Sequence, residues 1–416
     1  MDKMADVLGR AGAWCGQNKY LSAIKNAFQN FMPLTIAGAI GVLWCNVLVN
    51  DQTGLGLFFK PIMALDFLNP AFQAVNFCTI SCITVGITLG IAQEIGVWNM
   101  GAERAGYIPG LVGLAAWLSV TNTSHMVDGA KEAFTGIAGN ELGATGLFTG
   151  MIIGVLSVEL FCFFEKQDAL KIKMPEQVPP GVARAFEVLV PATITLIITA
   201  CIGSACYNLT GLYLNDVIKN GVQGPLGAVG ATVPGVMIIY LVIMLFWLVG
   251  IHGNNMLSAV KEALFTPLAL ENVEAFNKGE TPKNIINMYA LQMWGEFGGS
   301  GVTIGLVIAI MIFGKREDNK AIATLSLVPG LFNINETVTF GIPMVLNPIL
   351  GIPFVVAPLV TIIIGYVLTV IGFCPVACLT VPWTTPPIVF GFLACGANVM
   401  GAVTQAILIV VSTVIY

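Results

Sequence analysis

Charge is what this sequence has least of. Only 10% of its 416 residues are Asp, Glu, Lys or Arg, where a soluble domain carries about a quarter. A chain of this length could build one or two water-soluble cores, but it has too few charges to cover them with a hydrated surface. Histidine is scarcer still, with two copies, His125 and His252. No Cys-x-x-Cys pair occurs, and no His/Cys cluster has the spacing of a zinc site. The 10 cysteines read as reduced packing residues, because most lie inside apolar runs, as Cys45, Cys78, Cys82, Cys162 and Cys201 do. There is no P-loop and no strand-borne G-x-G-x-x-G, so ATP is not expected to bind. The net charge of −5 is spread too thinly for a nucleic-acid partner. No cleavable signal pattern precedes residue 31. Neither a metal nor a cofactor is expected.

What the chain has is apolar length. Hydrophobic residues make up 56% of it and its mean hydropathy is +0.85. A bilayer core of about 30 Å takes about 20 apolar residues as helix. Candidate spans lie near 31–49, 72–95, 106–121, 145–164, 186–208, 226–250, 289–313, 353–373 and 402–415. Two further apolar stretches, 321–348 and 374–396, are broken by Pro, Gly and Asn. The expected architecture is an all-α polytopic membrane protein of about ten transmembrane helices plus two re-entrant hairpins. The 46 glycines suit close helix packing in lipid, and are also simply common there.

Lys and Arg cluster in residues 1–30, 166–184 and 315–320. Positive charge marks the cytoplasmic side. The first cluster reads as a cytoplasmic, partly amphipathic lead-in helix. About four spans separate the first two clusters, so both fit the cytoplasm. About three separate the second from the third, which would put the third outside. Either 252–288 holds an extra crossing, or the third cluster breaks the rule. The polar segment 166–181, with Pro175, Pro179 and Pro180, reads as a hinge or linker. The expected division is 1–208, N-terminal helices, and 209–416, the substrate-binding and transport part.

The broken stretches carry the chemistry. Irregular backbone at membrane depth is tolerated only where protein buries it or a wet cavity lines it. Residues 329–348 place Glu336 with Asn333, Asn335 and Asn347 among helix breakers and apolar flanks. An intramembrane carboxylate is costly and is a functional candidate by default; the alternative is a surface loop. In 381–392, Trp383 stands between prolines with hydroxyls beside it. An indole face with nearby donors suits a sugar ring; the alternative is an interfacial aromatic. His252, followed by Gly253, Asn254 and Asn255, ends an apolar run, where a ligand could approach it or it could relay a proton. The alternative is a hydrogen-bonded packing residue. Glu296 opens the cluster Phe297-Gly-Gly-Ser-Gly301, whose glycines allow tight backbone approach; Glu296 also reads as an interfacial charge.

At these residues the chain resembles the membrane component, enzyme IIC, of the bacterial sugar phosphotransferase system, in its lactose/cellobiose/diacetylchitobiose branch. The matching strings are Gly330-Leu-Phe-Asn-Ile-Asn-Glu336, Phe340-Gly-Ile-Pro-Met-Val-Leu-Asn-Pro348, Pro382-Trp-Thr-Thr-Pro-Pro387 and Ile251-His-Gly-Asn254. Val178-Pro-Pro-Gly-Val182 with Phe186, and Leu142-Gly-Ala-Thr-Gly-Leu-Phe148, fit as well, and the likeness covers essentially the whole chain.

The resemblance implies a function. Such a protein sits in the bacterial cell membrane, binds a β-linked disaccharide outside and carries it inward by an elevator-like motion. A separate cytoplasmic enzyme IIB, charged through IIA, then phosphorylates the sugar. The resemblance implies sugar contacts from His252, Glu336, Trp383, Asn335, Asn254 and Glu296, and a homodimer built through the N-terminal helices in lipid. Thr337, Thr339 and Glu296 depart from the family pattern, which leaves the choice of disaccharide open. No IIA or IIB domain follows the last apolar run, so both are expected on separate chains. The competing reading is a proton-coupled sugar symporter using Glu336 and His252. A lipid-linked glycosyltransferase would want clustered acidic metal ligands, and none is visible.

Overall fold

The computed structural model describes residues 2–51, 55–125, 133–175, 177–342, 344 and 347–416. Pro343, Val345 and Leu346, part of one family string, lie outside the described residues. Among the described residues the chain is all-α apart from a two-residue ladder pairing Ser124 and His125 with Thr135 and Phe134. Among these residues, four helices are long and apolar enough to cross a membrane: Lys19–Leu48, Ala144–Glu165, Pro180–Thr210 and Ile349–Val370. The bent pair Lys60–Ser81 and Ile83–Met100 makes up to five. Ile108–Val120, Val233–Leu248, Ile304–Phe313 and Val399–Ile415 are shorter apolar helices. The segment 252–288, where an extra crossing was one of two options, contains the 25-residue helix Gly253–Asn277. At about 1.5 Å per residue it is long enough to cross, although it carries Lys261, Glu262, Glu271 and Glu274.

The residues form two compact units: Met1–Gln17, Thr35–Phe77 and Gly227–Tyr416 make one, and Asn18–Leu34 and Cys78–Leu226 the other. In the second unit, Ile83–Met100, Ile108–Val120, Ala144–Glu165 and Pro180–Thr210 pack together. Ile87, Ile91 and Ile95 recur every four residues and are fully buried, so one stripe of the first helix faces its neighbours. Glycine sets how close those neighbours come: a Cβ on Gly113 would fall 2.3 Å from the Ala92 Cβ. Lipid tails are as apolar as these side chains, so contact rather than water exclusion drives this packing. The 31-residue helix Pro180–Thr210 starts with proline in its first turn, where no N–H is needed, and ends at Gly211 in the left-handed region.

An ionic clasp ties this unit across the proline-rich linker. Glu165, buried at the end of its helix, accepts from Arg104 at 2.8 Å and Arg184 at 2.9 Å. Glu187 takes the same two arginines, at 2.9 and 2.8 Å. The segment 166–181 therefore links two helices of one unit.

In the first unit, several helix starts are capped by side chains. His252, Asn287, Asn347 and Asn398 each accept from backbone N–H groups at the start of the following helix. Each cap satisfies donors that would otherwise be left unpaired at a helix start. Trp247 and Phe354 anchor the core at 1% exposure each. The expected span 289–313 is not one helix. It divides into Met288–Gly295 and Ile304–Phe313. Between them Gly298, Gly299, Gly301 and Val302 have positive φ, which no helix continues through.

Candidate functional site

Both broken stretches remain broken. The helix Glu317–Leu331 ends after Pro329, the chain turns through Asn333 at φ 62°, and the short helix Glu336–Gly341 returns against it. This is the expected hairpin, with Glu336 as the first residue of its second arm. The other stretch runs without helix from Gly372 to Val389, then forms the short helix Val389–Ala394. Ile388 at φ 75° opens that helix, and its N–H and that of Gly391 both donate to the Gln405 side chain at 2.8 Å.

One side chain joins these stretches to the glycine loop. The Asn333 carboxamide accepts from the Gly298 N–H at 2.6 Å and donates to the carbonyls of Trp383, at 2.5 Å, and Thr385, at 3.1 Å. Asn335, two residues on, is 3% exposed and faces inward. It donates to the Ser300 carbonyl at 2.8 Å and the Thr339 hydroxyl at 3.2 Å. A Cβ on Gly299 would stand 2.7 Å from the Asn335 Cβ, so glycine is required there. Asn254 donates to the Ser300 hydroxyl at 3.0 Å, while its buried Oδ1 has no partner among the described residues.

His252 and Glu336 meet beside this frame. The Nδ1 of His252 accepts the Asn255 N–H at 3.3 Å, which leaves the Nε2 to carry the proton. That Nε2 stands 3.6 Å from Glu336 Oε1, and the two side chains are 36% and 47% exposed. Behind the imidazole, the Trp247 ring lies 4.4 Å away. Trp383 is 43% exposed. His252, Glu336 and Trp383 thus keep open polar or aromatic surface. Asn335, Asn254 and Glu296 are tied into the protein. The Glu296 Oε1 accepts from the Tyr240 hydroxyl at 2.6 Å and pairs with Lys261.

Sequence reasoning missed Asn333, Ser300, Lys261 and Tyr240. Asn333 had a signal, being one of three amides in the 329–348 stretch. Lys261 and Tyr240 had none, standing 35 and 56 residues from the carboxylate they hold.

Residues 25–358 match the family model described as phosphotransferase system, EIIC. The oligo-β-mannoside-specific EIIC component of Bacillus subtilis is 32% identical over 100% of this chain and 92% of its own. The lactose-specific EIICB component of Streptococcus mutans is 32% identical over 96% of this chain and 68% of its own. The crystal structure of ChbC, the IIC component of the N,N'-diacetylchitobiose-specific phosphotransferase system, superposes with a TM-score of 0.88. It is 30% identical, covering 97% of this chain and 93% of that one.

Proposed function

Because the chain belongs to the EIIC family of the phosphotransferase system, an integral membrane family that passes sugar to an EIIB partner, we propose that its cargo is a β-linked disaccharide held at His252, Glu336 and Trp383. The named relatives handle β-mannosides, lactose and diacetylchitobiose, which supports that class and leaves the individual sugar open.

The observation that carries the site is the facing pair of His252 Nε2 and Glu336 Oε1, both partly open. A carboxylate accepts from two sugar hydroxyls, and such charge-assisted bonds are about twice as strong as neutral ones. The imidazole donates to a third group, and the Trp383 ring offers an apolar face to a pyranose. Asn335, Asn254 and Glu296 complete the sugar-binding set, the first two by shaping the loops that surround the pair. Once EIIB has phosphorylated the sugar, a dianion stands near Glu336, and repulsion drives product release. If Glu336→Gln bound sugar and released phosphosugar at the normal rate, that step would be lost.

The part from 209 to 416 carries the sugar, and 1–208 supplies the interface of a homodimer in lipid. Leu189, Ile197 and Ile202 are each about half exposed at different points around the Pro180–Thr210 helix, which suits a second copy or lipid. The deciding experiment is calorimetric titration of the purified protein with cellobiose, lactose and diacetylchitobiose, followed by phosphorylation with EIIB. Binding of none of the three would overturn the β-disaccharide reading. Uptake driven by a proton gradient without EIIB would favour a symporter.

A further inference from the structure

We propose that Glu296 is a specificity-determining acceptor for one sugar hydroxyl, held in register by Lys261 and Tyr240; this rests on the sugar site proposed above. The Lys261 side chain is 6% exposed and Tyr240 is fully buried. Both engage the same carboxylate oxygen, Oε1. The other oxygen, Oε2, has no hydrogen-bond partner among the described residues, and the Glu296 side chain retains 16% exposure. A carboxylate fixed by one oxygen and open at the other is a preorganised acceptor.

The position of Glu296 joins it to the sugar site. It begins the loop whose Gly298 N–H bonds to Asn333 and whose Ser300 carbonyl bonds to Asn335, the residue before Glu336. The same loop meets the helix that His252 caps, where Asn254 donates to the Ser300 hydroxyl at 3.0 Å. Buried ion pairs contribute little net stability, since removing both charges from water is costly. A pair kept here is better explained by what its open oxygen selects. An ionised carboxylate has no proton to give, so it demands an O–H or N–H from the sugar. It penalises an analogue that presents hydrogen in place of that donor.

The test uses the full chain in lipid nanodiscs. The probes are the tightest binder among cellobiose, lactose and diacetylchitobiose, and its mono-deoxy derivatives. Wild type should lose roughly 5- to 100-fold in affinity at one hydroxyl beyond those served by His252 and Glu336. The double variant Lys261→Met/Glu296→Leu, which leaves no charge unpaired, should bind parent and that one deoxy sugar alike while keeping its discrimination elsewhere. A merely structural pair predicts something different: weaker binding of every derivative by one common factor. That outcome, or an unchanged profile, would overturn the proposal. If the double variant does not fold, Tyr240→Phe carries the test. It keeps both charges but frees the carboxylate, and should blunt discrimination at the same hydroxyl; an unaltered profile would be equally fatal. Failure of the wild type to bind any of the three sugars would instead count against the β-disaccharide site itself.

Discussion

Two glutamates of this chain make opposite use of the same chemistry. Glu165, in the second unit, is 3% exposed and saturated by Arg104 and Arg184 at hydrogen-bond distance. Glu336, in the first, is 47% exposed and has His252 at 3.6 Å, just beyond hydrogen-bond reach. The first carboxylate has spent its lone pairs on the fold. The second has kept most of them for something the protein does not contain. That unsaturated acceptor is what the proposed sugar site rests on.

The sharpest test of that contrast is Glu336→Gln. Two hydrogen bonds to a charged acceptor, at about 1.5–3 kcal/mol each, are weakened together, so sugar affinity should fall roughly 100-fold or more by calorimetry. Glu165→Gln should do the reverse. It removes the buried carboxylate that a half-exposed Arg104 and a part-buried Arg184 share with Glu187, and lowers stability by about 2 kcal/mol in thermal unfolding, while sugar affinity stays within about twofold. Equal loss of sugar binding in both variants would erase the distinction.

Two smaller effects refine it. Asn333→Ala strands the Gly298 N–H and two carbonyls and should weaken sugar binding by about 2 kcal/mol, roughly 30-fold, through loosened loops. A drop in stability with no change in affinity would make Asn333 a structural residue only. Trp383→Ala removes one stacking face and should cost about 1.4 kcal/mol, near tenfold, with Trp383→Phe recovering most of it. If Phe recovered nothing, the indole N–H rather than the ring face would be the contact.

Much of this was legible in the sequence where local rules apply. The breaks at 329–348 and 381–392 could be read because proline, glycine and asparagine cluster there, whereas single prolines such as Pro191 and Pro267 stay inside helices. The helix starting at Pro180 was read only from about 186, with Pro180 left in the linker, although proline suits a first helical turn. The division of 289–313 was missed although Gly298, Gly299 and Gly301 announce it, because glycine is common in continuous membrane helices too. What could not be read is long-range pairing. Asn333 and Asn335 look alike in the string, yet one turns outward at φ 62° to hold three backbone groups and the other packs inward at 3% exposure. The partnership of Lys261 with Glu296 spans a separation that no helical period encodes.

The Asn333 carboxamide has a consequence for how this transporter could diversify. It uses every polar atom it has to fasten three loop tips to one another. No tip can change shape without breaking the other two, so substitutions at the tips are closed to gradual change. On the proposed site, room to alter the sugar preference lies on the shoulders of those loops, at positions such as Glu296, rather than in the knot between them.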